Sequence, residues 1–90
     1  MVTLNYKIIN ITGRIQTHAK ELALFSKAMA LIGSVDLSDV SYINVYTYDV
    51  GGIVEFALDS EKRNSNLVHR LAEHLHTTFA KEKNWNWLVR

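Results

Sequence analysis

The chain has 90 residues, almost half of them hydrophobic, no cysteine and a net charge of +1. That is the length of one domain, 1–90, and the composition of a globular rather than a disordered chain. Disulfides and thiolate metal sites are impossible without cysteine, and no apolar run approaches the roughly 18 residues of a membrane span.

Val2 to about Ile11 reads as a first strand, with Val2, Leu4, Tyr6 and Ile8 alternating with Thr3, Asn5 and Lys7. The phase slips at Ile8-Ile9, and Thr12-Gly13 is a natural stop. The opening MVTLNYKIIN lacks a signal peptide's order of basic, apolar and small-residue segments, so a cytoplasmic protein is expected.

From Thr17 to Ile32 the period becomes helical. Thr17 is a candidate N-cap and Gly33 a C-terminal stop signal. Leu22, Phe25, Met29 and Ile32 form one stripe at about 100° per residue, widened on one flank by Leu24, Ala28 and Leu31. An arc this wide needs cover from the sheet and from something else. His18 falls on the same stripe and is expected near the sheet.

Ser34 to Asp39 is a polar connection. Two strand-like runs follow, SYINVYTYD and IVEFAL, around a loop containing Gly51-Gly52. A strand alternates its side chains, so Tyr42, Asn44, Tyr46 and Tyr48 share one face while Ile43, Val45 and Thr47 share the other. The second run sets Val54, Phe56 and Leu58 on one face and Ile53, Glu55 and Ala57 on the other. The polar stretch Ser60–Asn66 leads to a second helix, capped by Asn64 or Ser65 and running to about Lys83. Its stripe is Leu67 or Val68, Leu71, Ala72, Leu75 and Phe79. Trp85, Trp87 and Val89 then alternate with Asn86, Leu88 and Arg90, which suits a short last strand.

The order β-α-β-β-α(-β) predicts an α+β domain of ferredoxin-like topology, an antiparallel sheet with two helices on one face. On that plan the β-branched residues of the hairpin pack beneath the helices. Tyr42, Tyr46 and Tyr48 look outward from the open face, joined by a tryptophan from the tail.

Three functional readings follow. The first is a non-enzymatic binding or regulatory module of inhibitor or adaptor type. It engages a protein partner, or a second copy as a homodimer, through Tyr42, Asn44, Tyr46 and Tyr48 and an acidic rim of Asp49 and Glu55, since tyrosine and tryptophan dominate interface hot spots. The alternative is a single-stranded nucleic-acid binder that stacks bases on the same platform with help from Lys81, Lys83 and Arg90. Charge weighs against it: residues 36–61 hold six acidic residues and no lysine or arginine, and phosphates avoid such a surface. The third is a cofactor-independent enzyme, built where two sheets face one another, with His18 as general base.

No cofactor or metal is expected. His69, Glu73 and His76 share a helix face, but it points to solvent, and a lone exposed trio holds a metal weakly at best. No glycine opens a phosphate-binding loop, and no serine sits in a nucleophile elbow.

Overall fold

The computed structural model of the chain describes residues 2–8, 18–48 and 50–90, with residues 6–8 described by their backbone alone. The elements are β1 (Thr3–Ile8), α1 (His18–Gly33), β2 (Val40–Thr47), β3 (Gly52–Leu58), α2 (Ser65–Phe79) and β4 (Trp85–Val89). The four strands form one sheet in the order β1-β2-β3-β4. β1 runs parallel to β2, β2 antiparallel to β3, and β3 parallel to β4. The phase slip at Ile8-Ile9 and the Thr17 cap lie outside the described residues.

The ferredoxin-like expectation is overturned. That plan splits each β-α-β unit with a strand of the other and is antiparallel throughout. Here each helix returns the chain to the next strand, so both units are unsplit and the sheet is mixed. Element order is the same in both plans, and local pattern says nothing about which strands become neighbours.

Both helices lie on one face. Ala28, Leu31 and Ile32 of α1 and Leu67, Leu71, Leu75 and Phe79 of α2 join one cluster with Ile43, Val45, Val54 and Phe56. His74 in α2 donates a hydrogen bond to the Ser34 carbonyl at 2.9 Å, and Lys27 pairs with Glu82 at 2.9 Å. β1 and β3 run in opposite directions, yet both crossovers step the same way across the sheet. With both helices on one face, one crossover is therefore right-handed and the other left-handed, against the general preference for the right hand.

α1 is rotated from its expected seat. Its buried line is Ala28, Leu31 and Ile32, with Leu24 packed beside it. Leu22 is 51% exposed and Met29 is also exposed, so the stripe Leu22–Phe25–Met29 borders solvent. His18, on that stripe, is exposed rather than set against the sheet.

α2 follows its pattern more closely, with Leu67, Leu71, Leu75 and Phe79 all buried and the helix ending at Phe79. Asn64 caps it: extended at φ −146°, it accepts the Leu67 N–H on Oδ1 at 3.0 Å. Asn64→Ala is expected to cost about 1 kcal/mol, read from the urea midpoint; an unchanged midpoint would show the cap to be idle.

The β2–β3 loop needs its glycines for more than a turn. Gly51 has φ +74°, a region that β-carbons resist. Its carbonyl accepts the Tyr48 N–H, and the Gly52 N–H donates to the Asn84 carbonyl, both at 2.9 Å. The loop is thereby fastened to the entry of β4.

Candidate binding face

The sheet face away from the helices is assembled by register. Asn5, Asn44 and Glu55 stand side by side on β1, β2 and β3, and Leu88 follows on β4. Tyr42 pairs with Ala57 and Tyr46 with Ile53 on either side of that row. Burial alternates along β2 as the sequence predicts: Ile43, Val45 and Thr47 are buried, while Tyr42, Asn44 and Tyr46 are half-buried. The tyrosines thus lie half-buried on a surface that no described element covers.

The row between them is hydrogen-bonded across the sheet. Asn5 Nδ2 donates to Asn44 Oδ1 at 3.0 Å, and Asn44 Nδ2 donates to Glu55 Oε1 at 2.8 Å. Arg90 Nη1 reaches the same Glu55 oxygen at 3.4 Å, a long ion pair. Glu55 is only 8% exposed, shielded by its neighbours on the central strands. A buried carboxylate needs such donors, because each unmet lone pair would carry a desolvation cost.

This arrangement alters two expectations. Glu55 is no acidic rim: it is buried, hydrogen-bonded and paired with a cation. Trp85 and Trp87 do not join the tyrosines. Their register opposite Gly52 and Val54 turns both toward the helices, and Trp85 is buried in the core. Leu88, 39% exposed, occupies the place the tryptophan was expected to fill. Tyr48 is half-buried just beyond the end of β2, where its N–H begins the loop. Asp49 lies outside the described residues.

At the Tyr42 end of the face, Ser41, Tyr42, Asp59, Ser60, Arg63 and Arg90 line a groove of about 390 Å³. Lys81 and Lys83 are exposed before β4. Arg90 follows it, so Lys83 and Arg90 sit at opposite ends of a strand, roughly 20 Å apart at the usual rise per residue. The three basic residues do not form one patch. Sequence pattern missed the role of Asn5. The one available signal for Asn5 was its polar position in β1, which needed the parallel register to acquire meaning.

A second cavity of about 200 Å³ lies on the helical side, between α2 and the α1–β2 connection, with Asp36, Asp39, Arg70 and His74 above Leu58, Leu67 and Leu71. The Ser38 N–H and hydroxyl donate to Asp36 Oδ1 at 3.0 and 2.8 Å. These bonds, with the charges of His74 and Arg70 beside them, hold the Asp36 carboxyl below its usual range. A depressed carboxyl stabilises the fold above its unfolded value, about pH 4, and loses that contribution as pH falls through the lowered one.

Among the described residues no group of His, Asp and Glu side chains is placed to hold a metal, and no helix is long and apolar enough to cross a membrane. His69 pairs with Glu73 at 3.1 Å on an exposed turn. His18 and the tyrosines do not converge, being on α1 and on the opposite side of the sheet. No protein-family model, curated protein or solved structure matches the chain.

Proposed function

We propose that the chain is a non-enzymatic binding module, of inhibitor or adaptor type, whose partner is a protein seated on the sheet face of Tyr42 and Tyr46. The observation that carries this reading is the hydrogen-bonded row Asn5–Asn44–Glu55 between two half-exposed tyrosines. The row's internal bonds satisfy much of its hydrogen-bonding capacity, so covering it leaves few groups without partners. Tyrosine offers large contact area with few rotors to freeze and a hydroxyl that tolerates a wet rim. Leu88 and Ile53 add apolar area to the same face.

Proteins from the source cell captured on the immobilised chain, and identified by mass spectrometry, provide the partner for the test. Tyr42→Ala and Tyr46→Ala are each expected to weaken its binding by about 2 kcal/mol, close to 30-fold. Native affinity in both variants, with native circular dichroism, would sink the proposal.

One observation favours the nucleic-acid alternative: Arg90 offsets the Glu55 charge, so the face itself is less acidic than the local sequence. Against it stands the scatter of Lys81, Lys83 and Arg90. A single-stranded binder would show affinity for an oligonucleotide at low salt that falls steeply as salt rises. Absence of binding at low salt would close that reading.

A further inference from the structure

β4 ends the sheet, and among the described residues nothing pairs with its outer edge. The bonds at its two ends fix which backbone groups look outward. Asn84 C=O accepts from the Gly52 N–H at 2.9 Å, Arg90 N–H donates to the Phe56 carbonyl at 2.8 Å, and Arg90 C=O accepts from the Leu58 N–H at 3.3 Å. Asn84 and Arg90 therefore turn their peptide groups toward β3. Alternation turns those of Asn86 and Leu88 the same way and sends the N–H and C=O of Trp85, Trp87 and Val89 outward.

An outward row of that kind is a template for another strand unless something blunts it. β1, the opposite edge, has Lys7 within its span; β4 reads WNWLV, with no charge, proline or glycine. Its aromatic and branched residues favour pairing. Trp87 and Val89 are only half-covered by the core, and Leu88 is exposed. Above the strand, α2 turns its α1-side flank, with His74, toward Ser34. Val68 and Ala72 lie about 120–160° further round the helix. They line, with Arg63, Asn64, Ser65 and His69, a groove on the flank away from α1.

We propose that this edge binds a second copy of the chain, with the two β4 strands antiparallel about a twofold axis through Trp87. Two four-stranded sheets then become one continuous sheet of eight. In this register Trp87 faces its own counterpart and Trp85 faces the counterpart of Val89, so each outward residue exchanges both backbone bonds with the residue opposite. On the tyrosine side Leu88 meets Asn86. A second copy meets the requirement of a twofold axis, because the outward backbone groups of Trp85 and Val89 lie equally far on either side of Trp87. Within the paired strands no charged residue stands directly across from a like charge: Arg90 falls opposite Asn84 and is held by Glu55. The Val68 and Ala72 flanks of the two α2 helices close over the seam and add side-chain contact to the strand pairing. The tyrosine face stays open in this dimer, so the inference does not rest on the function proposed above.

Sedimentation equilibrium of the full chain at tens of micromolar is expected to give twice its 10.3 kDa mass. In that dimer the amides of Trp85, Trp87 and Val89 exchange as slowly as those of Asn86, Leu88 and Arg90. Val89→Pro deletes an outward N–H and leaves the β3–β4 bonds intact. It is expected to give a monomer in which only the outward amides become fast. If that variant does not fold, Ala72→Glu serves in its place, since it sets two carboxylates against each other across the helix seam and touches no strand. A monomeric native chain, a dimer with fast-exchanging Trp85, Trp87 and Val89 amides, or a dimer that survives the folded variant would each overturn the proposal.

Discussion

Gly52→Ala is expected to remove about 3 kcal/mol of stability or more, a large share of the 5–15 kcal/mol typical of a domain. A β-carbon at Gly52 would collide with the Tyr46 backbone carbonyl and come within 2.9 Å of a Trp85 ring carbon. Neither neighbour can give way cheaply. The carbonyl belongs to a central strand, and the ring is buried in the core. Gly51→Ala is expected to cost as much for a different reason: the residue is left-handed at φ +74°, and its β-carbon would run into the Asn84 backbone. Urea titration followed by circular dichroism reads both variants. A native midpoint for Gly52→Ala would mean that the hairpin does not press against β4 as described.

The second large effect is at Glu55. Glu55→Leu keeps the volume roughly but removes the acceptor from Asn44 Nδ2, and is expected to cost about 2 kcal/mol. Adding Asn44→Val to it should recover about half of that loss, because both members of the pair are then apolar. Arg90→Ala should cost well under 1 kcal/mol: its side chain is 66% exposed and the ion pair spans 3.4 Å. A double-mutant cycle from urea midpoints measures the coupling. Simple additivity of Asn44→Val and Glu55→Leu would show that the Asn44–Glu55 bond contributes nothing.

The parts of the fold legible in the sequence are those set by short-range periodicity. The two-residue period of β2 placed Ile43 and Val45 inside and the tyrosines outside, and the helical period of α2 marked Leu67, Leu71, Leu75 and Phe79. The rotation of α1 was hidden because its apolar arc exceeds the width of the surface that receives it. Leu22–Phe25–Met29 and Leu24–Ala28–Leu31 are both acceptable seats, and the position of β2 decides between them. Sheet order was hidden for a related reason, since β-α-β-β-α-β suits split and unsplit units alike. As for the site, the tyrosines were visible as a face, whereas the row of Asn5, Asn44 and Glu55 exists only through pairing of residues 39 and 11 positions apart. Glu55 looked like a surface charge because no local rule reveals that a carboxylate will be roofed by its neighbours on adjoining strands.

The adjacency of β2 and β3 at the centre of the sheet has a kinetic consequence. They are joined by a tight loop, so their pairing requires little closure entropy and can nucleate early. Each outer strand must wait for its own helix to condense against that hairpin, and the half that winds with the disfavoured hand has the harder search. On this reasoning the sheet assembles from its middle outward, with β1 and β4 the last strands to dock and the first to detach under stress.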